Sequence, residues 1–304
     1  MIDVLAGQAH YMAHIWPVYA SLPDRLRGEV LRPEYSVGRG PGEVALVAGF
    51  ADVKRAVRLG YPRIVMMQHG AGQSYIGDRQ SFPGGTGVGA VNLFLCPNEY
   101  SAARWRERYP DADVAIIGSP RVEHLRTLAM IHAEPVVAAS FHWLCSLLPE
   151  TLPAWREFGK AVLALEKDIP LIGHAHPRAT KWLAPWWKTH GVPFVADFEE
   201  VCRNADVYIC DNSSTIFEWA ATGKPVVVLN SKRYRKSVHH GGRFWDWSTV
   251  GIQVDRPDDL AEAVRLALLD PPGIRKERNR IVREVYHMID GSTAATVALL
   301  EGWV

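Results

Sequence analysis

The chain has 304 residues, with 34 Lys and Arg against 33 Asp and Glu, and a formal net charge of +1 at pH 7. This balance argues against a bulk electrostatic attraction to nucleic acid or to an anionic membrane. A hydrophobic content of 48% with 22% charged residues is typical of a globular protein and excludes long disordered stretches. At roughly 150 residues per domain, the length predicts about two domains.

The cysteines and the N-terminus indicate a reducing, intracellular setting. Cys96, Cys145, Cys202 and Cys210 lie far apart without C-x-x-C spacing, which argues against a zinc ribbon or a disulfide framework. The first residues, MIDVLAGQAHYMAHIW, lack the basic region and long apolar run of a signal peptide. No stretch reaches the ~18 uncharged apolar residues of a membrane span. We therefore expect a cytoplasmic protein, with a peripheral location at the inner membrane face left open.

Short β-branched runs alternate with amphipathic helical stretches along most of the chain. The runs that predict buried strands are 2–6, 43–49, 63–67, 91–95, 113–117, 135–140, 169–173, 206–210 and 225–229. The clearest helices are predicted at 50–60, 99–109 and 258–269, and two more follow Arg275 without any strand signal. Alternating strands and helices predict parallel sheets that are covered by helices.

One sheet of nine strands would be large, and residues 126–135 offer a break between two halves. We predict an α/β architecture of two facing Rossmann-like, doubly wound domains with a C-terminal helical tail. The domains are predicted at residues 1–130 and 131–274, and the tail at 275–304, with packing back on the N-terminal domain as one option. Ligands are expected in the crevice at the carboxyl ends of the strands.

Residues 206–230, DVYICDNSSTIFEWAATGKPVVVLN, hold the most informative pattern. A buried strand ends at Asp211, and a small polar turn leads into a helix that stops at Gly223 before the next strand. Such a junction presents backbone N–H groups and the positive end of a helix dipole, where an anion can bind. A capping box over residues 215–218 that only starts the helix is the competing interpretation.

The segment PLIGHAHPR (170–178) places His174 and His176 after a strand, with Arg178 after a proline. Because side chains alternate with a period of two along a strand, we expect both histidines on one side. A His-Pro-Arg turn at a strand end suits a phosphate, whereas a metal pair would need further spaced ligands. A packed core histidine beside a surface arginine is the alternative.

Two further segments carry candidate chemistry. In RIVMMQHGAGQSY (63–75), a strand end precedes His69 and two glycines, so the histidine is a natural general base, although a structural turn explains the glycines equally well. Residues 231–243 carry a run of Lys and Arg that suits a diphosphate or polyanionic acceptor, or forms a solvated loop.

Several standard motifs are missing from the sequence. It contains no P-loop, H-E-x-x-H, G-x-S-x-G or EF-hand pattern. AGQAHYMAH after the first strand is not G-x-G-x-x-G, so a nicotinamide dehydrogenase gains no support. Core packing is favoured over sugar stacking or membrane contact for most of Trp182, Trp186, Trp187, Trp245 and Trp247.

In chain order, the segments QHG, GSPRVEHL, HAHPR, DNSSTIFEWAATGKPVVVL and DGSTAATVALL resemble the teichoic-acid glycerophosphotransferase family. Its members are CDP-glycerol-dependent polymerases and primases of the GT-B fold. The resemblance runs from about residue 60 to the C-terminus, and the D-x-S-S block with GKP is its most specific part. Glu123 stands where the family pattern has an aspartate. The resemblance implies a metal-independent displacement at the β-phosphate of CDP-glycerol that releases CMP.

The resemblance also implies roles for individual residues. His69 would deprotonate the acceptor hydroxyl, and His176 with Arg178 would stabilise the transferring phosphate. The expected nucleotide and phosphate contacts are Asp211, Ser213, Ser214, Thr215, Glu218 and Lys224. The candidate acceptor or phosphate contacts are His10, His14, His174, Arg121, Arg235 and Arg243.

No metal site and no cofactor is expected. The expected partners are a nucleotide-activated donor and a hydroxyl-bearing acceptor, which is a glycan, a polyol phosphate or a lipid-linked molecule. Peripheral membrane contact stays open, and there is no strong nucleic-acid signal.

Other functions remain open on the sequence alone. A GT-B glycosyltransferase could use the same serine-rich site for a nucleotide sugar, with a glycan, a lipid-linked sugar or modified DNA as acceptor. It would release a nucleoside diphosphate instead of CMP. A UDP-sugar 2-epimerase shares the fold but has glycines where Ser213, Ser214 and Thr215 stand. A non-catalytic binding protein of the same fold is the third alternative, because fold alone does not determine function.

Overall fold

The computed structural model describes residues 1–31, 42–71, 87–144, 153–232 and 244–304. The strands in these ranges are β1 (Ile2–Leu5), β2 (Arg27–Leu31), β3 (Val44–Val47), β4 (Arg63–Met67), β5 (Leu93–Cys96), β6 (Asp113–Ile116), β7 (Val137–Ala139), β8 (Leu171–Gly173), β9 (Val207–Cys210), β10 (Val226–Leu229) and β11 (Ile252–Val254). The α-helices are α1 (Ala9–Ser21), α2 (Phe50–Leu59), α3 (Glu99–Arg108), α4 (Pro120–Leu128), α5 (Trp155–Ala164), α6 (Thr180–Thr189), α7 (Phe198–Asn204), α8 (Thr215–Ala221), α9 (Phe244–Trp247), α10 (Leu260–Leu269), α11 (Pro272–Val285) and α12 (Ser292–Trp303).

The strands form two parallel sheets, as the alternation of strands and helices predicts. The first has the order β2-β1-β3-β4-β5-β6. The second has the order β11-β10-β9-β7-β8. The predicted α/β class with Rossmann-like parallel sheets is therefore confirmed. The sequence analysis did not predict β2 or β11.

The chain divides into two compact units. The first unit comprises the described residues of Met1–Ala71, Gly77–His124 and Glu284–Val304, and the described residues of Leu125–Arg283 form the second. The sequence analysis put the corresponding boundaries at 130/131 and at 274/275. In the structure, most of α11 lies in the second unit, and the last 21 residues, Glu284–Val304, lie in the first.

Each sheet contains one point at which the strand order reverses. In the first unit this switch point lies between β1 and β3, because β2 follows β1 on one side and β3 lies on the other. In the second unit it lies between β7 and β9, with β8 on the far side of β7. Loops at the carboxyl ends of such strand pairs diverge and leave a crevice, which is where ligands bind in doubly wound folds. The two switch points are therefore the places to look for functional side chains.

The C-terminal helix completes the core of the first unit. Leu300 of α12 is fully buried in a cluster with Ile2, Val4 and Ile15. Both carboxylate oxygens of Glu123 accept hydrogen bonds at the start of this helix, from the N–H groups of Gly291 and Thr293, each at 2.7 Å. The residue that departs from the family pattern thus caps α12 and stabilises it at its positive end.

The described ranges contain no helix with the length and apolar character needed to cross a membrane. Trp187 is fully buried and Trp247 is 4% exposed, while Trp182 and Trp186 pack against the core of the second unit. These four tryptophans therefore serve core packing, as favoured from the sequence.

Candidate functional site

Asp211 organises the switch point of the second unit. Its carboxylate follows β9, is fully buried, and accepts the backbone N–H groups of His142 at 2.7 Å and Ala154 at 3.0 Å. Burial raises the pKa of Asp211 to about 6, although these backbone hydrogen bonds oppose the rise. Asp211 thus joins the end of β9 to the loop after β7 and to the residue before α5. The resemblance implied a nucleotide contact, but the structure gives the carboxylate this structural task.

His142 lies beside Asp211 and was missed by the sequence analysis. It follows β7 and is 4% exposed, and its Nδ1 is buried without a hydrogen-bond partner in the described structure. Burial, together with the charge of Arg178, lowers the pKa of His142 to about 4 against the opposing effect of the Trp143 backbone. The imidazole is therefore neutral at neutral pH. The available signal was a histidine two residues after the predicted strand 135–140, at the position where the sheet reverses.

His176 is half-buried, and its ring lies edge-on to the ring of His142 with 5.1 Å between the centroids. The Nδ1 atom of His176 accepts the backbone N–H of Arg178 at 3.1 Å. Because Nδ1 accepts, the proton of the neutral imidazole is on Nε2. His176 can thus donate a hydrogen bond to a ligand oxygen through Nε2.

Arg178 is exposed, and its guanidinium lies over the ring of Trp143 at 4.5 Å from the centroid. This cation–π contact restricts the guanidinium to the neighbourhood of His176, because Trp143 also lies 5.8 Å from the His176 ring. The structure therefore brings together a hydrogen-bond donor and a fixed positive charge, as a phosphate site requires.

The expectation that His174 and His176 share one side is wrong. His174 is 4% exposed, its Nδ1 lies 2.8 Å from the carbonyl oxygen of Val195, and its ring packs on Phe198. Burial lowers the pKa of His174. The strand ends at Gly173, so the alternation along β8 does not extend to the two histidines. His174 is the packed core histidine of the alternative interpretation, and it is not part of the candidate site.

The serine-rich turn lies between β9 and α8. Ser213 is 4% exposed, and its Oγ lies 2.9 Å from Oγ1 of Thr215, which is also 3.0 Å from the hydroxyl of Tyr208. Thr215 is the first residue of α8, with Ser214 at the N-cap position and without a side-chain capping bond from it. The capping-box interpretation placed Thr215 at the cap, so it is not confirmed in that form. Glu218, on the same helix, is 6% exposed.

Lys224 does not belong to this site. It precedes β10, at the amino end of the sheet, whereas the candidate residues lie at the carboxyl ends of the strands. Its Nζ donates to the carbonyl oxygens of Cys202 at 2.8 Å and Ala205 at 2.6 Å. The ammonium caps the end of α7, and the expected phosphate contact is corrected accordingly.

A second group of candidate residues lies at the switch point of the first unit. His10 and His14 are in α1, which follows β1, and His69 comes after β4. The ring of His69 lies 6.1 Å from His10, 5.9 Å from His14 and 4.7 Å from Tyr11, centroid to centroid. Within the described residues, no group of three or more His, Cys, Asp or Glu is arranged to hold a metal ion.

Burial and neighbouring charges act on His14 in this first-unit group. Burial lowers the pKa of His14 well below its usual value, and the charges of His69, Arg121 and His10 lower it further. Arg121, near the start of α4, is 4% exposed. The structure thus brings together three of the predicted residues, His10, His14 and His69. Arg235 and Arg243, the other predicted cations, lie outside the described residues.

A comparison with known protein families finds a match in the second half of the chain. The family described as CDP-Glycerol:Poly(glycerophosphate) glycerophosphotransferase matches residues 157–299. The resemblance is confirmed. The matched range contains His176, Arg178, the serine-rich turn and Glu218, which are the donor-side candidates. No curated protein sequence matches the chain significantly.

Solved structures share the fold over nearly the whole chain. The wall teichoic acid polymerase TagF is 12% identical, with a TM-score of 0.69 over 99% of this chain and 88% of that one. A variant of TagF with CDPG has a TM-score of 0.66 at 12% identity and the same coverage. The Neisseria meningitidis UDP-GlcNAc 2-epimerase bound to UDP-GlcNAc is 14% identical, with a TM-score of 0.61 and 99% of both chains covered. These likenesses show the fold, and the family match supports a CDP-glycerol-dependent glycerophosphotransferase.

Proposed function

We propose that this protein is a transferase that moves an alditol phosphate, glycerol phosphate or a close relative, from a CDP-linked donor to an acceptor hydroxyl. The observation that carries the proposal is the clustering of His176, Arg178 and the serine-rich turn around the second switch point, inside the range that matches the family. The cytoplasmic location expected from the sequence, with contact at the inner membrane face, stays part of the proposal.

The reaction is a displacement at the β-phosphorus of the donor. The acceptor oxygen forms a bond to this phosphorus while the bond from phosphorus to the bridging oxygen breaks, and CMP leaves with that electron pair. His69 accepts the proton of the acceptor hydroxyl, a role for which an imidazole is suited. Phosphoryl transfer depends mainly on the positioning of the reactants and on the stabilisation of negative charge. The protein therefore does not need to form a covalent bond to the substrate.

The second-unit residues supply that charge stabilisation. The Nε2–H of His176 donates to a phosphate oxygen, and the guanidinium of Arg178, held on Trp143, offsets the negative charge of the diphosphate. Ser213, Ser214 and Thr215 bind the diphosphate, and Glu218 accepts hydrogen bonds from the ribose hydroxyls. The metal-independent course implied by the resemblance belongs to this proposal.

A nucleotide-sugar enzyme is the second candidate function. The observation in its favour is the fold shared with UDP-sugar epimerases over 99% of the chain. A glycosyltransferase of this kind would break the bond between the sugar carbon and the diphosphate, and it would release a nucleoside diphosphate.

The released nucleotide separates the two candidates. The protein is incubated with CDP-glycerol or with UDP-GlcNAc, each with a glycerol-phosphate acceptor, and the products are resolved by ion-exchange chromatography. We expect CMP from CDP-glycerol, at the same rate with and without EDTA. Release of UDP with no CMP would favour the second candidate, and a loss of CMP release in EDTA would overturn metal independence alone.

A further inference from the structure

The tyrosine in the middle of β9 carries a buried hydroxyl group that the proposed reaction does not use. We propose that Tyr208 is a positioning residue: its hydroxyl donates to Thr215, Thr215 donates to Ser213, and the remaining proton of Ser213 is directed to a phosphate oxygen. We call these three side chains the hydroxyl relay. The role of the relay rests on the proposed function, because it assumes that the diphosphate lies at the serine-rich turn.

The hydroxyl relay runs from the core of the second unit to the serine-rich turn. The hydroxyl of Tyr208 lies 3.0 Å from Oγ1 of Thr215, and the same Oγ1 atom lies 2.9 Å from Oγ of Ser213. Tyr208 is fully buried, Thr215 is half-buried and Ser213 is 4% exposed. Three hydroxyl groups at hydrogen-bond distance thus connect a core residue with the turn at the second switch point.

The packing of the Tyr208 ring does not explain its hydroxyl. The ring is stacked on Trp219 at 5.2 Å and meets Phe198 edge-on at 5.7 Å, centroid to centroid. Phenylalanine would make the same ring contacts. A buried hydroxyl is costly without a hydrogen bond, so its contribution lies in the polar partners that it finds. The described partner that leads out of the core is Thr215, the first residue of α8.

The hydroxyl of Tyr208 acts as a donor in this relay. Burial raises the pKa of Tyr208 well above its usual value, so the phenol keeps its proton. A phenol is a stronger donor and a weaker acceptor than an aliphatic alcohol, because its oxygen shares electron density with the ring. Ser140 and Cys210 also interact with the phenol. A thiol is only a weak acceptor and an alcohol can donate, so Thr215 is the preferred acceptor of the phenol proton.

The direction of the relay at Ser213 follows from the number of protons. Thr215 has one hydroxyl proton and is bonded to two hydroxyl oxygens, so with Tyr208 as donor its own proton goes to Ser213. Oγ of Ser213 also accepts the backbone N–H of Thr215 at 3.4 Å. Both acceptor positions of this oxygen are then filled. The hydroxyl proton of Ser213 is left to donate to a ligand.

This direction suits an anionic ligand. An ionised phosphate oxygen accepts hydrogen bonds and donates none, so a relay that ran the other way would present a lone pair of Ser213 to the anion. Consecutive hydrogen bonds in a buried setting polarise one another, so each donor strengthens the next. Within the proposed diphosphate site, Ser213 is therefore the hydroxyl donor, and the side chains of Thr215 and Tyr208 act through it.

The test measures the binding of inorganic pyrophosphate to the full chain by isothermal titration calorimetry. Tyr208→Phe keeps the ring and removes the hydroxyl, and we expect it to weaken binding about fivefold, which corresponds to one hydrogen bond. Tyr19→Phe is the matched control, because Tyr19 is a buried tyrosine whose hydroxyl donates to the carbonyl oxygen of Gly28 at 2.6 Å. It should change binding less than about twofold.

A double-mutant cycle separates the relay from a merely structural role of the tyrosine. Ser213→Ala removes the final donor and should weaken pyrophosphate binding at least about tenfold, since this donor faces a charged group. In the Ser213→Ala background, Tyr208→Phe should then change binding less than about twofold. If Ser213→Ala binds too weakly to be measured, Thr215→Val takes its place, because it interrupts the same relay one step earlier.

A loss from Tyr208→Phe that is equally large in both backgrounds would overturn the relay, because it would report a general change in the turn. Unchanged binding in Tyr208→Phe, or no pyrophosphate binding by the wild type, would overturn it as well. The proposed function fails separately: pyrophosphate binding that follows the cycle, in a protein that releases no CMP from CDP-glycerol, would leave the relay standing. Normal kcat and KM for CDP-glycerol in Tyr208→Phe would remove the relay and leave the function.

Discussion

At the scale of single residues, His142 and His176 lie next to each other but have different roles. The sequence alone could not tell the buried histidine from the one that donates a hydrogen bond. His142 is buried and its pKa of about 4 keeps it neutral, so it packs against its neighbour rather than exchanging protons near pH 7. His176 is half-buried, and its Nδ1 is occupied by the N–H of Arg178. The N–H donor of His176 is therefore Nε2, which suits charge stabilisation better than general acid catalysis.

His176→Ala is expected to lower turnover of CDP-glycerol at least ~100-fold, because one preorganised donor to a developing negative charge is typically worth that much. His176→Gln keeps an N–H donor near the position of Nε2 and should retain an intermediate rate. Both rates are measured by CMP release, and CDP binding is checked by thermal stabilisation, which should persist. His190→Ala, in the same unit and exposed, is the control. Near-normal turnover in His176→Ala would remove the residue from the mechanism.

At the scale of elements, nine of the eleven described strands were predicted from the sequence, including the edge strands β6 and β8, and two were missed. Strand β4 was predicted with its observed bounds, because an apolar run buried on both faces has few other interpretations. The missed strands β2 and β11 are both sheet edges, of sequence RGEVL and IQV. A half-exposed edge strand needs no continuous apolar run, so only the neighbouring strand reveals it.

The candidate site was also only partly predictable from the sequence. Residues that follow predicted strands, such as His69 and Asp211, could be located from the sequence, because parallel strands bring their carboxyl ends to one edge. Whether a side chain faces the crevice or the core could not be predicted. That depends on where β8 ends for His174, and on which end of β10 carries Lys224. The role of His142 depends on the strand order itself, which places β7 beside β9.

Asp211 joins β7, β9 and the start of α5, and its pKa of about 6 predicts a characteristic pH dependence. The native state takes up a proton as the pH falls from about 6 to 4, whereas the unfolded chain, with a pKa near 3.8, does not. The contribution of Asp211 to stability therefore rises toward acid and is lost as the pH rises through 6. Asp211→Asn removes it.

We expect the free energy of unfolding of the wild type, relative to Asp211→Asn, to increase by about 2 kcal/mol between pH 6.5 and pH 4.5. Urea unfolding of both proteins at the two pH values, followed by tryptophan fluorescence, measures this difference. Groups that titrate equally in both proteins cancel. A difference that does not change with pH would show that the carboxyl group titrates in the native state as it does in the unfolded chain.

At the scale of the whole molecule, the last residues of the chain belong to the same compact unit as the first ones. After the second unit is complete, residues 284–304 join the first unit, where α12 packs with α1 over the first sheet. Glu123, in the loop-to-helix segment that also carries Arg121, holds the start of α12 through Gly291 and Thr293. The last helix therefore contributes to the core of the first unit and is tied to the segment that carries Arg121.

Leu300→Ala tests this dependence on the last helix. Leu300 is fully buried against the first sheet, so its truncation should cost about 2–5 kcal/mol through lost burial and a residual cavity. The matched control is Leu269→Ala, since Leu269 is 76% exposed and its truncation should change stability by less than about 0.5 kcal/mol. Hydrogen exchange of the backbone amides of β1 and β3, which flank the first switch point, reports the effect directly. We expect much faster exchange of these amides in Leu300→Ala and wild-type rates in Leu269→Ala. If β1 and β3 kept their protection in Leu300→Ala, the C-terminal helix would be dispensable for the first core, because the free energy that opens these strands would not include its packing.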